Sequence, residues 1–184
     1  MTGPIFTLAN QLTILRMALV PLVVVLVLRE DFVWAFSVFA VAALTDLFDG
    51  LIARLGNQQT KLGAMLDPVA DKLLIGASFL VLTWGSGLHV SIPVWLTVTA
   101  ICRDGMLVVA VVIINLVVEP RVFYPTLLGK VSSAVQLLTA GSVLLLNALA
   151  RDVAGLRYLF VLTLVLTVAS AFQYVFRSSS AERE

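Results

Sequence analysis

The stretch LTDLFDGLIARLGNQQTKLGAMLDPVAD, residues 44–71, places four aspartates between two long apolar runs. They are four of only 11 acidic residues in a chain of 184. On a helix that turns by about 100° per residue, Asp46 and Asp49 fall within one arc of roughly 100°. Asp67 and Asp71 are four residues apart and share one face of the following helix. The spacing therefore predicts two adjacent helices that direct four carboxylates toward a common point.

The rest of the chain has the composition of an integral membrane protein. Hydrophobic residues make up 60% of it, charged residues only 12%, and the mean hydropathy is +1.05, well above that of a soluble domain. The net charge of +1 argues against a nucleic-acid partner, which would require a basic excess. The single cysteine, Cys102, excludes an internal disulfide. We expect no removable signal peptide, because no basic segment precedes the first apolar run.

Six apolar stretches are long enough to cross a bilayer, which takes about 20 helical residues. They cover residues 12–28, 32–54, 67–85, 92–118, 126–149 and 153–176. Helices are predicted because lipid offers backbone groups no hydrogen-bond partner. The predicted fold is therefore all-α, with six transmembrane helices in one bundle that forms a single domain, 1–184. Within it, residues 1–11 form an interfacial N-terminal segment and residues 177–184 a polar tail.

The basic residues predict the orientation of this bundle. With both termini in the cytoplasm, the cytoplasmic side carries most of the basic residues, as the positive-inside tendency requires. We therefore expect a multi-pass protein of the cytoplasmic (inner) membrane, with the four aspartates at the cytoplasmic side. The cytoplasmic set is Arg16, Arg54, Lys61, Lys72, Arg121, Lys130, Arg177 and Arg183, and the outer set is Arg29, Arg151 and Arg157.

The four aspartates require a positive partner. Each one placed toward the membrane interior costs about 2.5–3.5 kcal/mol, and carboxylate oxygens are ligands for hard divalent cations, among which we favour Mg²⁺. Glycines at positions 50 and 63 allow a ligand to approach the helices closely, and Arg54 has a planar cation suited to phosphate. Thr60 and Lys61 add a hydroxyl and a second charge in the connecting loop. Together these residues indicate a bound pyrophosphate or nucleotide and a phosphoryl-transfer enzyme.

The same residues form a longer pattern that resembles the signature of the CDP-alcohol phosphatidyltransferase family. The pattern reads Asp46-x-x-Asp49-Gly50-x-x-Ala53-Arg54, eight further residues, then Gly63-x-x-x-Asp67-x-x-x-Asp71. The segment from Asn10 to Arg16, with Pro21, resembles the family's opening, and Gly129-Lys130 followed by Gln136 resembles the start of its fifth span. The resemblance covers nearly the whole chain and implies six helices and a homodimer.

The resemblance also implies a reaction, in which the phosphatidyl group of CDP-diacylglycerol passes to an alcohol and CMP is released. It implies that Asp46, Asp49 and Asp67 hold two divalent ions, Mg²⁺ or Mn²⁺. Asp71 would assist one ion and act as the general base. The predicted CDP-binding set, which includes the loop residues, is Asp46, Gly50, Ala53, Arg54, Thr60, Lys61, Gly63 and Asp67.

The acceptor alcohol lies outside the signature. The opening segment and the length resemble enzymes that make phosphatidylglycerol phosphate from glycerol 3-phosphate, with Arg103, Arg121 and Lys130 available for the acceptor's phosphate. Residues 103–104 and 130–137 also resemble eukaryotic-type cardiolipin synthases, whose acceptor is phosphatidylglycerol. Arg103, next to Asp104 in an apolar run, is either a ligand of the acceptor phosphate or half of an intramembrane ion pair.

Two other interpretations compete with this one. Six spans with clustered acids could form a metal-ion transporter, but a carrier would spread its ionisable groups near the membrane midplane, whereas here they gather at one side beside an arginine. Asp67-Pro68 also has a structural interpretation, with the aspartate as helix N-cap and the proline as first helical residue. The sequence favours the enzyme over the transporter.

Overall fold

The computed structural model describes residues 8–56, 61–117 and 127–181, and within them the side chains of residues 11, 13–45, 70, 72–107 and 127–173. These residues form six α-helices and no strand, which confirms the all-α prediction. The helices are α1 (Leu8–Leu28), α2 (Phe32–Gly56), α3 (Lys61–Trp84), α4 (Val94–Val117), α5 (Leu127–Ala148) and α6 (Leu156–Ala181).

The start of α3 differs from the prediction. The helix begins at Lys61, so Asp67 and Pro68 lie inside it, and the interpretation of Asp67 as an N-cap is wrong. Residues 61–66 are mostly good helix formers, such as lysine, leucine and alanine, which extend the helix upstream of the proline. The ends of the chain are also more helical than expected, because α1 includes 8–11 of the predicted interfacial segment and α6 continues to Ala181.

Two of the described helical segments are long and apolar enough to cross a membrane, namely Leu127–Ala148 and Leu156–Gln173. Three shorter helical segments are also apolar: Thr13–Leu28, Phe32–Thr45 and Lys72–Trp84. These five segments lie in five different helices. They support a membrane-embedded α-helical protein.

The helices divide between two compact units. The first unit contains α1, α2, α3 and the end of α5 from Ala140 onward. The second contains α4, the start of α5 up to Thr139, and α6.

In the first unit, α1 packs against both α2 and α3. The core is built from apolar side chains at helical spacing, such as Val23 and Val27 of α1 and Leu74 of α3. A Cβ added at Gly141 of α5 would lie 3.3 Å from Cε1 of Phe39 in α2, so the glycine lets that ring approach the helix. Apolar packing of this kind holds α1, α2 and α3 together, and the last two of these helices carry the predicted site aspartates.

The second unit has a polar interior between α5 and α6. Thr139 and Thr163 approach to 2.7 Å, and Nε2 of Gln136 donates to Oγ1 of Thr167 at 3.1 Å. All four side chains are buried. Hydroxyl and amide pairs are a common means of joining helices in membranes, where apolar side chains gain little from contact with each other.

The outward face of α6 is the apolar one. Val161, Val165 and Phe172 are exposed, whereas Thr163 and Thr167 on the same helix are buried. A soluble protein rarely exposes continuous apolar surface, and in this helix the polar side chains are inside and the apolar ones outside. This arrangement is the one expected of a helix surrounded by lipid.

Candidate functional site

The four predicted carboxylates lie on two helices of the first unit. Asp46 and Asp49 fall in the second half of α2, and Asp67 and Asp71 in the first half of α3. Their helical assignment agrees with the spacing argument, whereas their side chains lie outside the described set. The sequence-predicted ligands are therefore on the expected helices.

In the first unit, the described turns show how the ends of α1, α2 and α3 are aligned along the direction of the helix axes. α1 ends at Leu28 and α2 begins at Phe32, after a tight turn closed by the N–H of Asp31 on the carbonyl of Leu26 at 2.9 Å. A Cβ added at Gly85, just beyond α3, would lie 3.6 Å from Cγ1 of Val27. The end of α1, the start of α2 and the end of α3 are thus at one level.

The four aspartate positions are at similar distances from that level, counted along their helices. Asp46 is 14 residues beyond Phe32 and Asp71 is 14 residues before Gly85, which is about 21 Å along each helix at a rise of 1.5 Å per residue. Asp49 and Asp67 are both about 26 Å from the same level. By this count, we expect all four carboxylate-bearing positions to lie in one layer of the first unit.

Arg16 lies close to that layer and was not among the predicted site residues. Its side chain is completely buried on α1, as is that of Thr13 one turn before it. Arg16 is 12 residues before Leu28, or about 18 Å along the helix. An arginine within the first apolar run was the sequence signal for this position, because ionisable residues in such runs are expensive and usually functional.

The remaining predicted CDP-binding residues are described only in part. Gly50, Ala53 and Arg54 follow the first aspartate pair in α2, and Lys61 and Gly63 begin α3. Thr60 lies outside the described residues, as does Arg121 among the predicted acceptor ligands. Among the side chains that are described, no group of three His, Cys, Asp or Glu could hold a metal ion. The four aspartates are not in that set, so the metal site stays a prediction.

Arg103 of α4 is buried in the second unit, with 4% of its surface exposed. Its Nη1 donates to Oδ1 of Asp104 at 2.6 Å, and its Nε donates to Oγ of Ser170 in α6 at 3.0 Å. Its Nη2 lies 3.4 Å from the carbonyl oxygen of Gly129 in α5. The ion pair expected as one of two alternatives for Arg103 is therefore present. Lys130, the other described acceptor candidate, is exposed in the first turn of α5.

Residues 6–173 match the sequence profile of a family described as CDP-alcohol phosphatidyltransferase. The chain belongs to this family. The aspartates on α2 and α3 lie within the matched region, as do Arg103 and Lys130.

Individual family members carry names for different acceptors. The chain is 38% identical to a human protein named cardiolipin synthase (CMP-forming), over 92% of the chain and 60% of the human protein. It is 33% identical to a probable phosphatidylglycerophosphate synthase of Mycobacterium tuberculosis, over 95% of the chain and 82% of that protein. It is 45% identical to a CDP-diacylglycerol–glycerol-3-phosphate 3-phosphatidyltransferase of Salmonella choleraesuis, over 42% of the chain and 44% of that protein. The chain spans about three fifths of the length of the human relative.

Proposed function

We propose that the protein transfers the phosphatidyl group of CDP-diacylglycerol to an alcohol and releases CMP. The observation that supports this proposal is the complete aspartate signature on α2 and α3, in a chain that belongs to the CDP-alcohol phosphatidyltransferase family. Family membership favours this activity over metal-ion transport.

The chemistry of the four aspartates fits a pair of divalent ions. Carboxylate oxygens suit Mg²⁺ or Mn²⁺, and Asp46, Asp49 and Asp67 would hold the ions with help from Asp71. Bound there, the ions would neutralise the pyrophosphate and stabilise the charge that develops on it.

The protein's own groups would orient the two substrates and move one proton. Glycines at positions 50 and 63, with Ala53, leave room for the CDP group against the helices, and Arg54 binds its phosphates. Asp71 takes the proton from the acceptor hydroxyl as its oxygen forms a bond to the lipid-side phosphorus. The bond between that phosphorus and the oxygen of CMP breaks, and CMP leaves with the electron pair.

Two acceptors are each favoured by a separate observation. Glycerol 3-phosphate, our first candidate, is supported by the mycobacterial relative, because the chain covers 82% of that protein and leaves little of it unmatched. Phosphatidylglycerol is supported by the higher identity to the human cardiolipin synthase over nearly the whole chain. Both acceptors carry a phosphate and a glycerol hydroxyl, so the exposed cation of Lys130 suits either.

A product assay distinguishes the acceptors. Purified protein in lipid vesicles with Mg²⁺ and labelled CDP-diacylglycerol is given glycerol 3-phosphate in one sample and phosphatidylglycerol in another. We expect labelled phosphatidylglycerol phosphate from the first sample. Labelled cardiolipin from the second sample alone would reassign the acceptor, and the absence of CMP release in both would contradict phosphatidyl transfer.

We also propose that all six helices cross the membrane, with the aspartate layer at the cytoplasmic side. Exposed aromatic residues support the outer boundary: Trp34 near the start of α2 and Trp84 at the end of α3 in the first unit, and Trp95 and Tyr158 near the starts of α4 and α6 in the second. Tryptophan and tyrosine are enriched at membrane interfaces. The homodimer is proposed from the family resemblance.

A further inference from the structure

We propose that Arg103 is a positioning residue, which holds the first turn of α5 so that the neighbouring Lys130 binds the phosphate of the acceptor. This role deepens the proposed phosphatidyl transfer and rests on it. It differs from the direct binding of acceptor phosphate by Arg103 that the sequence offered as an alternative.

The contacts of Arg103 are directed into the protein. Each of its three side-chain nitrogens has a protein acceptor: the carboxylate of Asp104, the hydroxyl of Ser170 and the carbonyl of Gly129. Three of its five N–H donors are used in this way, and only 4% of its surface is exposed, which leaves a phosphate little access to the other two. Breaking the buried ion pair to admit a phosphate would be strongly destabilising. The side chain therefore acts as a junction between α4, α5 and α6 of the second unit.

The junction reaches Lys130 through the backbone. The carbonyl oxygen of Gly129 lies 3.4 Å from Nη2 of Arg103 and accepts from Oγ of Ser133 at 3.2 Å. Lys130 follows Gly129 directly and its side chain is exposed. Because the two residues share a peptide bond, a displacement of the Gly129 carbonyl also moves the Cα atom of Lys130, from which its side chain extends.

The location of Lys130 favours an anionic ligand. It lies in the first turn of α5, where the positive end of the helix dipole makes a cation unfavourable unless an anion is near. A phosphate at this point would meet both the ammonium group and the helix N-terminus. Both acceptors proposed above provide such a phosphate.

Ser170, which contacts Arg103 from α6, is itself held by a hydrogen bond within its own helix. Oγ of Ser170 donates to the carbonyl of Thr167 at 2.9 Å, which leaves its lone pairs to accept from Arg103. The hydroxyl of Thr167 accepts from Nε2 of Gln136, about two turns farther along α5 than Gly129. Arg103 therefore links α5 to α6 next to the proposed phosphate site, and the Gln136–Thr167 and Thr139–Thr163 contacts join the same two helices farther along α5.

Steady-state kinetics of the full chain in lipid vesicles test this role, with the acceptor that the wild type uses. Ser170→Ala removes one contact of Arg103 without changing a charge, and we expect it to raise the KM for the acceptor about fivefold while the KM for CDP-diacylglycerol stays unchanged. Ser37→Ala is the matched control, because Ser37 also donates to a carbonyl of its own helix but is exposed and lies in the first unit. We expect no change in either KM for that variant.

A double-mutant cycle separates positioning from direct binding. We expect Lys130→Met to raise the acceptor KM at least about tenfold, and Ser170→Ala to add nothing in the Lys130→Met background. Arg103→Lys, which keeps the charge but not the three-way contact, should behave as Ser170→Ala does.

Additive effects in the cycle would overturn the positioning role, since they would mean that Arg103 acts on the phosphate independently of Lys130. An equal rise in the KM of both substrates, or no rise in Ser170→Ala, would also overturn it. A wild type that releases no CMP with either acceptor would overturn the proposed function itself, which distinguishes the two failures.

Discussion

The side-chain amide of Asn147 and the backbone of Val90 form a two-way hydrogen-bonded pair. Oδ1 of Asn147 accepts from the N–H of Val90 at 3.1 Å, and its Nδ2 donates to the carbonyl of Val90 at 2.8 Å. The same Oδ1 also accepts from the N–H of His89 at 2.8 Å. One buried amide on α5 thus holds the loop between α3 and α4 within the first unit.

Replacing Asn147 with alanine should destabilise the first unit. The change leaves three backbone groups of the loop without their partner, and we expect a loss of about 2–4 kcal/mol in the free energy of unfolding, since an unsatisfied buried group costs about 1–3 kcal/mol. The measurement is the unfolding midpoint of the purified protein in detergent. Thr99→Ala, at a partly exposed threonine of α4 that bonds only to its own helix among the described contacts, is the control. Equal midpoints for the two variants would contradict the role of Asn147.

Gly87 should not tolerate a side chain. Its φ of +68° favours glycine, and an added Cβ would clash with the carboxylate of Glu30. We expect Gly87→Ala to lower the unfolding free energy by about 1–2 kcal/mol from the backbone conformation alone, with Glu30→Ala restoring only the part due to the clash. Gly76→Ala is the comparison, because no described atom lies within 4 Å of its added Cβ. A neutral Gly87→Ala would mean that the loop can adopt another conformation.

The role of Asp71 as general base predicts a separation of binding from turnover. Asp71→Asn should still bind CDP-diacylglycerol, whereas its kcat should fall at least about 100-fold, because a positioned base contributes roughly 10²–10⁴ to the rate. Binding is measured with labelled CDP-diacylglycerol in vesicles, and turnover by CMP release. Asp152→Asn, at an exposed acid of the loop before α6, should leave both unchanged. Full turnover in Asp71→Asn would remove the assignment.

The proposed divalent ions predict a dependence on added metal. Dialysis against a chelator should abolish CMP release, and Mg²⁺ or Mn²⁺ should restore it, because four carboxylates gathered as proposed would repel each other without a cation. The control for ionic strength is the dialysed protein to which only a Na⁺ salt is added. Turnover that persists in chelator would contradict the metal proposal.

The six-span topology can be tested with single cysteines in a Cys102→Ser background. Asp31→Cys and Asp152→Cys, both at exposed positions in turns that we propose lie outside, should react with a membrane-impermeant maleimide on intact cells. Gln58→Cys should react only after the membrane is opened. Labelling of the Gln58 variant in intact cells would reverse the proposed orientation.

The sequence predicted the helices and the site-bearing segments because both depend on local composition. Six apolar stretches correspond to six helices, and the aspartates fall in α2 and α3 as their spacing required. The start of α3 was placed too late because Asp67-Pro68 has the chemistry of a helix start, although a proline can also lie within a helix. The residues around Asp67 and Pro68 could not show whether the helix begins there or farther upstream.

Long-range contacts were beyond prediction. The pairing of Arg103 with Asp104 was one of two alternatives that the sequence offered, because the two are neighbours in sequence. Ser170, by contrast, is 67 residues from Arg103, and Gly129 is 26 residues from it. The burial of Arg16 likewise depends on how α1 packs against α2 and α3. These relationships arise only when helices assemble.

The hydroxyl groups of Thr139 and Thr163 have two hydrogens between them but take part in three hydrogen-bonded contacts. Each hydroxyl also lies within hydrogen-bond distance of a carbonyl of its own helix, that of Val135 at 2.8 Å and that of Leu159 at 2.7 Å, so two hydrogens serve three contacts. Either threonine can donate across the helices while the other donates to its own backbone. The contact between α5 and α6 thus has two interchangeable arrangements of the hydroxyl hydrogens. Replacement of either threonine with valine leaves the hydroxyl of the other with an acceptor on its own helix.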